Sequence, residues 1–127
     1  MFEPLVMYFG MTNAPGAFQS LMNEIFRDLI MNNQLVVYLD DILIFSKTLD
    51  EHRKFVREVL RRLRLHDLYL KPEKCKFEKL ETEFLGLIIS EGNIGMDPIK
   101  LSGVMDWPTP KKLKDIQGFM GFANFYR

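Results

Sequence analysis

Two short runs of strand-forming residues, 35–39 (Leu-Val-Val-Tyr-Leu) and 42–45 (Ile-Leu-Ile-Phe), flank one acidic pair, Asp40-Asp41. β-branched and aromatic residues bounded by turn formers read as a hairpin. Both runs are apolar at nearly every position, so the hairpin is expected to be covered on both faces. Side chains alternate along a flat strand, and only a turn lets two adjacent carboxylates approach one point. The pair is therefore placed at the hairpin tip. Asp is unfavourable within strands and costly to bury unpaired. An ordinary acidic turn and a metal-binding pair both satisfy this pattern. The chain has one cysteine, Cys75, and two histidines, His52 and His66, without a partner cluster. Hard carboxylate oxygens alone suit magnesium, with manganese as a substitute, rather than zinc.

Around the hairpin, periodicity sets out the other elements. Residues 2–9 read as an extended segment, which Gly10 breaks. Asn13 is placed as a helix cap, with Pro15 in the first turn. Ala14, Ala17, Phe18, Leu21, Met22, Ile25, Phe26, Leu29 and Ile30 then recur at three- and four-residue steps, which predicts one long helix ending at Asn32-Asn33. Thr48 with Glu51 forms a capping box for a second helix, with Phe55, Val56, Val59, Leu60 and Leu63 on its apolar stripe and Arg53, Arg57 and Arg61 on its outer face. The spacing predicts a short strand at 68–70 and a second hairpin from 82–89 and 93–96, turning near Glu91-Gly92. Asp97-Pro98 is read as the cap of a short helix through Met105, Trp107 as a packing anchor in a linker, and a last helix starts near Lys111.

The formal net charge of the 127-residue chain is zero, which argues against a general nucleic-acid-coating protein. Its distribution is uneven. Residues 1–51 carry 2 basic and 7 acidic groups, net −5; 52–79 carry 10 and 4, net +6; 80–127 carry 5 and 6, net −1. The basic block is either a solvated helix with a Lys-rich loop or a surface facing nucleic acid. A hydrophobic fraction of 47% supplies a packed core. No apolar run approaches the length of a membrane span, and the start lacks the pattern of a secretory leader.

Five motifs in order carry a family resemblance. Phe9-Gly10-Met11-Thr12-Asn13-Ala14-Pro15 with Phe18-Gln19 resembles the helix-opening motif of reverse transcriptases of gypsy-type LTR retrotransposons. Tyr38-Leu39-Asp40-Asp41 resembles their catalytic turn. The run from Leu70-Lys71-Pro72 to Phe77, then Phe84-Leu85-Gly86, Asp106-Trp107-Pro108 and Gly121-Phe122, is similar to the segments that follow.

The resemblance implies an α+β polymerase palm: a ferredoxin-like split β-α-β sheet with helices on one face. This palm, truncated at its N-terminus, spans 1–96 with the catalytic hairpin and primer grip, and 97–127 begins a helical thumb. Asp40 and Asp41 are then catalytic metal ligands, and Lys71 assists the pyrophosphate leaving group, with Lys74 its rival. Phe9, Gly10 and Gln19 are assigned to the incoming nucleotide, with Gln19 also placed to line the template side or shape its helix. Tyr38, Asn13, Pro15, Phe84, Leu85 and Gly86 are assigned to template and primer. The implied partners are an RNA or DNA template with primer, deoxynucleoside triphosphates, and the remainder of a Pol polyprotein with fingers and ribonuclease H; no membrane is involved. The implied location is intracellular, in a cytoplasmic virus-like particle or the nucleus.

The chain also departs from the family pattern. The family's first catalytic aspartate lies on a strand before the helix-opening motif, and Glu3 is the only acid before Asn13. Tyr8 stands where a proline is usual. A site with two of three carboxylates is expected to be inactive in isolation. Two other readings remain open at this stage: an inactive retroelement remnant that only binds nucleic acid or protein, and a metal-dependent nuclease or phosphatase using Asp40-Asp41.

Overall fold

A computed structural model describes residues 6–8, 10–96 and 98–125. The chain forms two compact units, 1–78 and 79–127. The first contains α1 (Ala14–Ile25), α2 (Arg27–Met31), β1 (Leu35–Tyr38), β2 (Asp41–Ile44), α3 (Leu49–Leu65) and a 3₁₀ turn at Pro72–Lys74. The second contains β3 (Glu81–Phe84), β4 (Leu87–Ser90), β5 (Asn93–Met96), α4 (Pro98–Met105) and α5 (Leu113–Phe125).

The helix start differs in detail from expectation. Asn13 occupies the cap position, but its side chain makes no capping bond, because its backbone is already helical at φ −93°, ψ −1°. A side-chain cap needs an extended backbone there. Instead the Met11 carbonyl accepts from Ala14 N at 3.1 Å, and Pro15 has no N–H to satisfy.

The single long helix expected to end at Asn32-Asn33 is two helices. The chain breaks at Phe26 (φ −109°, ψ 14°), which is completely buried. No Gly or Pro marks the position. The break lets Met22, Ile25, Phe26 and Leu29 enter one core with Leu35, Val59 and Leu63. It also frees the Ile25 carbonyl, which accepts from Arg62 Nη1 at 2.9 Å. The same guanidinium pairs with both oxygens of Asp28, and its Nε donates to Glu58 at 2.7 Å. Glu58 is also paired with Arg61, and Arg53 with Glu78, each at 2.7 Å. Much of the basic block on α3 is thus neutralised by neighbouring acids.

β1 and β2 form an antiparallel hairpin with Tyr38 opposite Asp41, Val37 opposite Ile42 and Leu35 opposite Ile44. α1 and α2 pack against β1, and α3 against β2. Leu35, Val37, Ile42 and Ile44 turn toward the helical core. Val36 and Tyr38, on the opposite face, are exposed. Coverage of both faces, expected from composition, is not found among the described residues: the helices take one face only. Alternation of side chains then leaves Val36 and Tyr38 open and Leu43 only partly covered.

At α3 the Thr48 hydroxyl accepts from Glu51 N at 3.3 Å, as the capping pattern requires. Its C-terminus closes through Asp67 at φ +53° and a bond from Leu68 N to the Leu63 carbonyl at 2.9 Å. That bond takes the Leu68 amide, and no strand forms at 68–70, contrary to expectation.

The second unit carries a three-stranded antiparallel meander, β3-β4-β5. The expected strand at 82–89 is divided. Leu85 (φ +52°) and Gly86 (φ +80°) form a two-residue turn between Phe84 and Leu87, which pair. Two consecutive positive φ values belong to the tight hairpin turns whose twist matches the strands, and Gly accommodates one of them freely. The Glu91-Gly92 turn lies where the sequence predicts it, with Ser90 opposite Asn93. Asp97, expected to cap α4, lies outside the described residues. Trp107 packs edge-on to Phe119 at 5.7 Å between ring centroids and against Phe122 at 5.5 Å, as a packing anchor should.

Candidate active site

The β1–β2 turn is Leu39-Asp40, not Asp40-Asp41. Asp41 is the first residue of β2 and pairs with Tyr38. Directly opposed residues share a face of the hairpin, so Asp41 lies beside Tyr38 on the open face, while Asp40 projects from the turn itself. Both aspartates are exposed. The two carboxylates reach the same end of the hairpin because one leaves from the turn and the other from the first strand position.

Leu39 has φ +51°, a left-handed conformation that costs a β-carbon residue about 1–2 kcal/mol. Such strain persists where surrounding contacts over-determine it. Gln19 supplies them. Its Oε1 accepts from Leu39 N at 2.6 Å, and its Nε2 donates to the Val37 carbonyl at 3.3 Å. A second Nε2 bond goes to Asn23 Oδ1, one turn along α1, at 2.9 Å.

The other candidates fall into three groups. Gly10 (φ +104°), Asn13 and Pro15 stand at or just before the start of α1, all exposed, and space around Gly10 is open. Phe9 lies outside the described residues. Lys71 is exposed and precedes the 3₁₀ turn; its carbonyl accepts from Lys74 N at 3.0 Å and from the Cys75 thiol at 3.3 Å. Among the described residues, neither Lys71 nor Lys74 is ion-paired with Asp40 or Asp41. Phe84 ends β3 in the second unit, and Leu85 and Gly86 form the turn from it into β4.

Among the described residues no group of three or more His, Cys, Asp and Glu side chains is placed to hold a metal ion. Two exposed carboxylates with no nitrogen or sulfur donor nevertheless suit a hydrated divalent cation. Magnesium in particular is commonly held by one or two carboxylates, with water and substrate phosphates completing its shell. Leu39 and Arg62 were not singled out by sequence reasoning. A signal existed for Arg62, which flanks Val59 and Leu63 on the inward side of α3. Leu39 carried none, since an apolar residue in an apolar run does not announce a positive φ.

Residues 1–89 match the family model described as reverse transcriptase (RNA-dependent DNA polymerase). The chain belongs to the reverse transcriptase family. It is 43% identical over 126 residues to a retrovirus-related Pol polyprotein from transposon 297 of Drosophila melanogaster, covering 99% of this chain and 12% of that protein. It is 36% identical over 127 residues to the transposon Tf2-3 polyprotein of Schizosaccharomyces pombe, covering 10% of it. This reverse transcriptase segment therefore spans about an eighth or less of the curated relatives it matches. Among solved structures, a foamy viral protease-reverse transcriptase in complex with dsDNA is similar with a TM-score of 0.81 at 26% identity, over 95% of this chain and 25% of that one. The same enzyme with an RNA/DNA hybrid matches with a TM-score of 0.77 at 26% identity, over 94% of this chain and 16% of that one. The α+β architecture implied by the motifs is the one found, and the chain is similar to segments of retrotransposon Pol polyproteins and of a foamy viral reverse transcriptase.

Proposed function

We propose that this segment provides the catalytic hairpin of a gypsy-type retrotransposon polymerase that extends a primer on an RNA or DNA template. The observation that carries the proposal is the presentation of Asp40 and Asp41 at the open end of a hairpin whose opposite face is locked onto α1–α3. Rigid backing holds the carboxylates in place, and the open face leaves room for a substrate.

In this reading Asp40 and Asp41 hold magnesium, or manganese in its place. Bound there, a divalent ion would supply charge neutralisation for the nucleotide phosphates and would make the attacking hydroxyl more acidic. Tyr38, beside Asp41 on the open face, lies against the primer end. The primer 3′-hydroxyl gives up its proton to solvent as its oxygen bonds to the nucleotide α-phosphorus, the bond from that phosphorus to the bridging oxygen breaks and pyrophosphate leaves, and Lys71 meets its developing charge. Phe9 and Gly10 border the nucleotide, and Asn13 and Pro15 border the template. Phe84, Leu85 and Gly86 grip the primer, and the thumb begins at 97. Template-primer duplex, deoxynucleoside triphosphates, fingers and ribonuclease H of a Pol polyprotein are the proposed partners. A cytoplasmic virus-like particle or the nucleus is the proposed location.

Primer extension with magnesium tests this, on the 127-residue chain and on the longer polyprotein that carries it, each with Asp40→Asn as control. Extension by the longer enzyme, abolished by the substitution, is expected. Extension that survives Asp40→Asn overturns the assignment of the hairpin.

A further inference from the structure

Gln19 was assigned from its motif to nucleotide binding, but its carboxamide is otherwise occupied. A primary amide has two N–H donors. One goes to the Val37 carbonyl at 3.3 Å and the other to Asn23 Oδ1 at 2.9 Å, which leaves none for a nucleotide. Its oxygen accepts the short bond from Leu39 N at 2.6 Å.

The two backbone groups it binds flank Tyr38. In a two-residue hairpin the closing pair, here Tyr38 and Asp41, exchanges its N–H and C=O bonds across the ladder. The groups of the residues on either side of Tyr38, the Val37 carbonyl and the Leu39 amide, then face away from β2. A neighbouring strand would ordinarily satisfy them. The Gln19 amide, with one donor and one acceptor side by side, does so as a single-residue substitute. Asn23 fixes the rotation of that amide from one helical turn away, so the arrangement has one orientation.

Leu39 is the residue in the left-handed conformation, and Asp40 follows it directly. Holding the Leu39 amide thus sets the direction in which Asp40 leaves the turn. α1 is also the helix that Gly10, Asn13 and Pro15 lead into. The segment expected to meet nucleotide and template is tied through Gln19 to the turn that carries the catalytic acid.

We propose that Gln19 is a positioning residue for phosphoryl transfer, acting on Asp40 through the Leu39 backbone rather than on the nucleotide. This rests on the polymerase reading of the hairpin. Two readouts separate the proposal from that reading. Amide hydrogen exchange of Leu39, followed by nuclear magnetic resonance on the 127-residue chain, requires no activity. Gln19→Leu is expected to accelerate exchange at Leu39 about tenfold or more, with the α3 amides unchanged. Gln19→Glu keeps the acceptor and the shape but loses both donors. It is expected to protect Leu39 partly and serves if Gln19→Leu fails to fold. Unchanged Leu39 exchange in a folded variant refutes the clamp, whatever the activity.

The second readout is single-nucleotide incorporation by the longer polyprotein. Gln19→Leu and Gln19→Glu are expected to lower kcat by about 10–100-fold while KM for the nucleotide changes less than about threefold. The divalent-ion concentration for half-maximal rate is expected to rise. A large rise in KM at unchanged kcat restores the nucleotide-contact role and overturns the proposal. If the unsubstituted polyprotein shows no incorporation, the polymerase reading fails on its own, and the exchange experiment still decides whether Gln19 holds the turn.

Discussion

Arg62→Met offers a direct test of how the helix break is held. Methionine keeps the length of the stem and removes the guanidinium. Arg62 is mostly covered, with 19% of its side chain exposed, and binds Asp28, Glu58 and the Ile25 carbonyl left free where α1 ends. Two partly exposed ion pairs are worth about 0.5 kcal/mol each after screening, and a guanidinium-to-carbonyl bond about 1.5 kcal/mol. Water replaces some of the latter, so a loss of about 2 kcal/mol is expected. For a folding unit the size of residues 1–78, that lowers Tm by about 10 °C. Its pH dependence is the sharper test. The Arg62 hydrogen bond holds the Asp28 carboxyl at about 2. Hydrogen bonds from Arg61 and then Arg62 hold Glu58 at about 2. Both lie below the value near 4 of an unfolded chain. A depressed folded pKa contributes stability that is complete above the unfolded value and is lost as pH falls through the folded one. The ion-pair share of the gap between native protein and variant is therefore full at pH 7 and fades between about pH 5 and pH 2, while the share from the Ile25 carbonyl bond, which does not titrate, remains. Glu58 keeps Arg61 in the variant, so Asp28 governs most of the fading. Urea unfolding across that range, read by far-UV circular dichroism, checks it. A gap that stays constant down to pH 2, or one below about 0.5 kcal/mol at pH 7, refutes the reasoning.

Three further outcomes are expected. Phe26→Ala empties the completely buried centre of the core and costs about 3–5 kcal/mol in urea unfolding, more than any of the other substitutions considered. Thr48→Ala removes the cap acceptor of Glu51 N and costs about 1 kcal/mol, whereas Thr48→Ser leaves stability nearly unchanged by the same assay. Leu39→Val places a β-branched residue at φ +51° and destabilises the chain by about 1 kcal/mol more than Leu39→Ala; equal losses would remove the argument for backbone strain at the turn.

Much of the local structure was legible because it depends on neighbours in sequence. The apolar stripe of α3 and its Thr48 cap, the Glu91-Gly92 turn and the hairpin around Asp40-Asp41 all follow from side-chain period and turn chemistry within a few residues. The ordered motifs likewise pointed to the palm of a reverse transcriptase. What failed did so for identifiable reasons. A strand was read at 68–70 because three apolar residues fit one, but Leu68 spends its amide on the end of α3. Residues 82–89 looked continuous because Leu85 is apolar, and its positive φ has no compositional mark.

The amino-acid sequence by itself determined the residues that pair as β1 and β2 and the acids at their joint, since strand and turn propensity act over a few positions; which face turns inward came from the packing of the helices. Only the tertiary structure decided where the turn falls within Leu39-Asp40-Asp41, that α1 stops at Phe26, and that Gln19 serves the Val37 and Leu39 backbone. Each of these depends on a partner about twenty residues or more away, Gln19 for the turn and Arg62 for the helix break. Backbone hydrogen-bond groups must be satisfied wherever the fold exposes or frees them, and which side chain arrives to do so is settled by packing rather than by local pattern.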